Sequence, residues 1–120
     1  MRANKYYPVD LGLMNAVLTQ TRPNSGKKLE TVVFHQLKRK HRNVYYWKGQ
    51  GEVDFVVESR QGLLPIEIKA SSRARMEDIR SLEAFLDEYR SAKIGVLIYG
   101  GEQAVALTPR IVALPAKAGL

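Results

Sequence analysis

Glu67 and Lys69 stand two apart in Leu64-Pro65-Ile66-Glu67-Ile68-Lys69, and Asp54 stands in Glu52-Val53-Asp54-Phe55-Val56-Val57. Both segments otherwise read as apolar strands, so three charges there require a physical reason. Side chains on a strand alternate faces, which sends Glu67 and Lys69 to one side and Ile66 and Ile68 to the other. The polar stretch Glu58-Ser59-Arg60-Gln61-Gly62 suits a hairpin connection, and pairing the two strands brings Asp54 across to the other two charges. Carboxylates gathered in this way repel, and a divalent cation with oxygen ligands, magnesium or manganese, relieves the repulsion. Asp54 and Glu67 would supply carboxylate oxygens and Ile68 its backbone carbonyl. Lys69 would stand beside the metal-bound water, orienting it or offsetting charge that develops on a phosphate. The chemistry is phosphodiester hydrolysis. Glu52 shares a face with Asp54 and is a reserve acid, with solvent exposure as its simpler explanation.

The elements that must hold these residues follow from periodicity. Asp10 caps a short helix to about Leu18, and Thr21-Arg22-Pro23-Asn24-Ser25-Gly26 forms a loop. Ser25 then caps a second helix from about Lys27 to Lys40, with Leu29, Val33, Phe34 and Leu37 as its inward stripe. Glu30 falls inside that stripe. A buried lone carboxylate costs several kcal/mol, so Glu30 lies at the stripe's edge, is ion-paired with Arg22 or Lys69, or is part of the same site as Asp54 and Glu67. Val44-Tyr45-Tyr46-Trp47 reads as a strand, with Tyr45 and Trp47 packing inward, followed by a turn at Gly49-Gln50-Gly51 and the two charged strands. Met76, Ile79, Leu82, Phe85, Leu86 and Tyr89 mark a long amphipathic helix from about Arg73 to Tyr89. Ile94 to Tyr99 reads as a buried strand parallel to an earlier one, while Ala104 to Leu107 and Ile111 to Leu114 read as peripheral strand or turn pieces. The fold class is α/β, in the order helix, three strands, helix, strand, within a single domain over residues 1–120.

Composition narrows the partners. With 45% hydrophobic residues and no stretch near the ~20 apolar residues of a membrane span, the chain reads as a soluble globular domain. The first residues carry no apolar core of a secretory signal, and the absence of cysteine excludes disulfides and thiolate metal sites. Both fit a cytoplasmic location. His35 and His41 fall on different faces of their helix and make no zinc site. A formal charge of +7 favours polyanions, nucleic acid first. Lys38, Arg39, Lys40, Arg42, Lys48, Arg73 and Arg75 are the candidate phosphate contacts, although cations in the last turn of a helix also answer its dipole.

The strand Asp54, then Glu67-x-Lys69 preceded by Pro65, with Glu30 on the first core helix, resembles the PD-(D/E)XK nuclease superfamily. More closely, Tyr7-Pro8-Val9-Asp10-Leu11-Gly12-Leu13, Gly26-Lys27-Lys28-Leu29-Glu30, Glu52-Val53-Asp54-Phe55 and Pro65-Ile66-Glu67-Ile68-Lys69 resemble the uncharacterised domain found carboxy-terminal to the ATP-binding domain of bacterial and archaeal ATPases. The resemblance implies a restriction-endonuclease-like core, a central mixed sheet flanked by helices. It places Glu30, Asp54, Glu67 and Lys69 at active-site positions and makes magnesium the expected metal. It also implies an ATP-binding domain as neighbour, yet no Gly-x-x-x-x-Gly-Lys-Ser/Thr phosphate loop occurs here. Three expectations follow: a metal-dependent nuclease acting on DNA, a non-catalytic module that docks nucleic acid or a partner domain, and a structural oligomerisation domain.

Overall fold

The computed structural model describes residues 6–8, 24–41, 43–60 and 62–116. A seven-stranded mixed sheet carries helices on both faces, so the molecule is α/β. The elements in chain order are β1 (Tyr6–Pro8), α1 (Asn24–Lys40), β2 (Val44–Lys48), β3 (Glu52–Ser59), β4 (Gly62–Lys69), a 3₁₀ turn (Met76–Ile79), α2 (Arg80–Glu88), β5 (Gly95–Tyr99), β6 (Val105–Thr108) and β7 (Ile111–Pro115). In space the strands run β1-β2-β3-β4-β5-β7-β6. The first four pair antiparallel, β4 with β5 and β5 with β7 are parallel, and β6 returns antiparallel on β7.

Alternation along the strands builds two cores. Val44, Phe55, Val57, Ile66, Ile68, Val96 and Ile98 meet Val33, Phe34 and Leu37 of α1 on one face. Trp47, Val53, Val56, Leu97, Tyr99, Ile111 and Ala113 meet Ile79, Leu82, Phe85 and Leu86 on the other. Trp47 lies edge-on to Phe85, with ring centroids 5.4 Å apart, which fixes α2 over β2 and β3. Arg110, in the turn before β7, bonds to Glu83 and Asp87 of α2, and these bonds, Glu83's first, raise the pKa of its guanidinium. Pro65 sits inside β4 but one residue before the ladder to β5 begins at Ile66, where a missing N–H removes no rung of that ladder.

Several expectations change. The element order departs from the expected one at both ends, since β1 precedes α1 and both pieces after β5 are sheet strands. Ile111 to Leu114 is not peripheral. It lies between β5 and β6, pairing with both, and its Ile111 and Ala113 are fully buried under α2. The helix expected from Arg73 begins later: Arg75 is extended, Met76 is 60% exposed, and regular α-helix starts at Arg80. The Asp78 carboxylate accepts the Arg75 N–H at 2.9 Å and so stops the helical path there. Helix α1 starts at Asn24, which puts Ser25 inside it rather than at its cap. The helix expected over Asp10 to Leu18 lies outside the described residues. Among those described, no helix is long and apolar enough to cross a membrane.

Candidate functional site

The hairpin between β3 and β4 places the charged residues. Gly62 ends its turn at φ +116°, a left-handed conformation that a side chain resists. The ladder then runs from Ser59↔Gly62 to Phe55↔Ile66 and stops. One more step in that register sets Asp54 opposite Glu67, two like charges that would repel across an ordinary pair. Side-chain bonds replace the rungs there: the Asp54 N–H donates to Glu67 Oε1 at 3.2 Å, and the Ile68 N–H donates to Asp54 Oδ2 at 2.9 Å.

A bulge on the other edge of β3 makes this arrangement possible. Between the pairs Tyr45↔Val56 and Trp47↔Val53, Asp54 and Phe55 face Tyr46 alone. The extra residue breaks the two-residue alternation, so Val53 and Val56 both enter the α2 core although simple alternation would part them. Asp54 sits at the break, and its carboxylate turns toward β4. Alternation in β4 behaves as its sequence indicates: Ile66 and Ile68 enter the α1 core, while Glu67 and Lys69 line the opposite side.

Glu52, Asp54, Glu67, Ile68, Lys69, Asp78 and Leu97 line one open cleft of ≈ 190 Å³. Asp54, Glu67 and Lys69 are therefore brought together, with the peptide between Glu67 and Lys69 in the wall. Asp78 joins them from the 3₁₀ turn, 3.2 Å from the Lys69 ammonium, and its own side chain is 7% exposed. Asp78 is absent from the sequence expectations, although a continuous helix from Arg73 to Tyr89 would put it on the stripe of Leu82, Phe85 and Tyr89, where an acid is out of place. Its spacing of three after Arg75 is also the spacing by which an acid reaches back to a turn's first N–H. Glu52 is exposed at the rim, where its N–H donates to the Ser81 hydroxyl.

Glu30 belongs to α1, one helical turn before Phe34, whose ring lies 6.1 Å from that of Phe55. The described stripe of α1 packs on the sheet face opposite Glu67, and the Glu30 side chain lies outside the described residues. The candidate phosphate contacts divide between the two ends of the sheet. Lys48 pairs with Glu52 at the cleft end, and Arg73 and Arg75 follow Lys69 in the loop to the 3₁₀ turn. Lys38 and Arg39 close α1 next to Val44, whose partner Val57 lies at the far end of β3. Lys38, Arg39, Lys48, Arg73 and Arg75 are all exposed. Arg42 lies outside the described residues.

Residues 25–118 match the family model of a domain of unknown function (DUF4143). The chain belongs to that family. No curated protein and no solved structure matches it. DUF4143 membership agrees with the expected uncharacterised domain and carries no nuclease assignment. In this DUF4143 chain the matched span holds every residue lining the cleft.

The donors suit a hard cation. Among the described residues no group of three or more His, Cys, Asp and Glu is gathered to hold a metal. Magnesium asks for less, one or two carboxylates with water and substrate phosphate completing its shell. The two carboxylates Asp54 and Glu67, both lining the cleft, match that smaller demand.

Proposed function

We infer that this DUF4143 domain is a metal-dependent nuclease-like hydrolase acting on phosphodiester bonds in DNA. One observation carries the reading: two carboxylates and an amine, from separate strands, line a single open cleft where the β3–β4 ladder breaks. Asp54 and Glu67 would hold magnesium or manganese, with the Ile68 carbonyl beside them. The bound cation would supply a water of lowered pKa and neutralise phosphate charge. Beside such a cation, the Lys69 ammonium would orient the attacking water and offset charge on the phosphate. Lys48, Arg73 and Arg75 grip phosphates on either side of the cleft, without reading sequence.

Incubation of the purified protein with plasmid, single-stranded and branched DNA plus magnesium or manganese tests the reading. Cleavage by wild type is expected, falling by roughly 100-fold or more in Lys69→Ala. Absence of cleavage on all three substrates, or equal cleavage by the variant, removes the catalytic reading.

A second reading has its own support, because the acids already have structural work. Asp54 and Glu67 each accept a backbone N–H, and Lys69 is paired with Asp78. On that reading the domain is a non-catalytic module that docks nucleic acid or an attached ATP-binding domain. DNA binding that is salt-sensitive and unchanged by Glu67→Gln, with no cleavage, would select it.

A further inference from the structure

We propose that Asp78 is a positioning residue, which holds the Lys69 ammonium in the cleft and ties it to the loop bearing Arg73 and Arg75. The proposal rests on the hydrolytic reading of the cleft. Asp78 Oδ1 lies 3.2 Å from Lys69 Nζ, and Oδ2 accepts the Arg75 N–H at 2.9 Å. A carboxylate only 7% exposed is tolerable because both oxygens are engaged. Lys69 is different: its side chain is 47% exposed and its four-carbon stem is flexible, so its strand position alone does not fix the amine. Asp78 supplies the missing restraint. Because the same carboxylate anchors the Arg75 backbone, a phosphate gripped by Arg73 and Arg75 is held in register with the amine. Neither residue that Asp78 joins sits on its own element, since Lys69 ends β4 and Arg75 precedes the 3₁₀ turn.

Asp78→Asn separates the two bonds, because its amide oxygen still accepts the Arg75 N–H while the charge facing Lys69 is gone. At saturating DNA and manganese, kcat should fall roughly 10- to 100-fold, as when an outer partner of an active-site group is lost. KM should stay within about threefold, since the lost restraint acts on the reacting step rather than on substrate binding. In a Lys69→Ala background the same change should lower kcat no further. An unchanged kcat in Asp78→Asn, or an equal further fall in the Lys69→Ala background, overturns the proposal. An independent arm uses ¹⁵N-edited NMR of the lysine ammonium groups, with the Lys69 signal assigned by its loss in Lys69→Arg. That signal should move in Asp78→Asn while the melting temperature holds, and a Lys69 signal at its wild-type position overturns the proposal whatever the activity. If wild type cleaves nothing yet the signal moves, the hydrolytic reading falls and the hold of Asp78 on Lys69 stands.

Discussion

Replacing Asp54 separates two tasks that one carboxylate performs. Its Oδ2 accepts the Ile68 N–H, a backbone group in a residue that is 4% exposed, at the point where the strand ladder ends. Asp54→Ala leaves that N–H without its partner and should cost about 1–3 kcal/mol in urea unfolding. Asp54→Asn keeps an acceptor at the same place and should cost less than the alanine variant. Both substitutions remove a negative oxygen, so both should abolish manganese binding in calorimetry if the cleft holds a cation. Equal stability of the two variants would show that the bond to Ile68 contributes nothing, and retained manganese binding by both would exclude Asp54 as a ligand. Glu67 allows the same dissection through its bond from the Asp54 N–H.

At the scale of elements, the hairpin that aligns β3 with β4 decides whether the acids meet. Gly62 adopts φ +116°, and a Cβ there would stand 2.0 Å from the Ser91 carbonyl oxygen. Gly62→Ala should therefore cost roughly 1–3 kcal/mol in backbone conformation alone, with the clash adding to it. Thermal unfolding measures the loss, and a melting temperature equal to wild type would mean that the turn relaxes freely. The bulge at Asp54 and Phe55 is the second decisive feature, because an unbroken β3 would carry Val53 away from the α2 core. The 3₁₀ turn is the third. It ends the arginine loop early and brings Asp78 down beside Lys69.

For the whole molecule, charge is distributed unevenly with respect to the cleft. The chain is +7, and the candidate cations among the described residues lie at different ends of the sheet. Lys48, Arg73 and Arg75 flank the cleft end, while Lys38 and Arg39 stand beyond the five-residue strand β2, roughly 16 Å long. If DNA crosses the cleft, each of Lys48→Ala, Arg73→Ala and Arg75→Ala should reduce the slope of log K against log salt by about one. Lys38→Ala and Arg39→Ala should leave the slope near its wild-type value. Binding titrations across a salt series test this, and a larger effect from the α1 pair would move the nucleic-acid surface to the other end of the sheet.

Strand alternation was enough to put Glu67 and Lys69 on one side of β4 and Ile66 and Ile68 on the other, because a two-residue period is a property of the extended chain itself. The stripe of Val33, Phe34 and Leu37, and that of Ile79, Leu82, Phe85 and Leu86, were legible for the same kind of reason: helical spacing gathers apolar groups that must leave water. The spacing of Arg75 and Asp78 signals locally that the helix starts late, but no local rule joins Asp78 to the distant Lys69. Nor could local rules foresee β7 lying inside the sheet, because its place is decided by which strand it pairs with and not by its own residues. The bulge belongs with these, as it exists only in the comparison of β3 with its neighbour β2. Sequence by itself determined which residues carry charge on apolar strands. Tertiary pairing decided that Asp54 turns toward Glu67, that Asp78 meets Lys69, and that the cations divide between two ends, because each is a contact between segments that no local periodicity encodes.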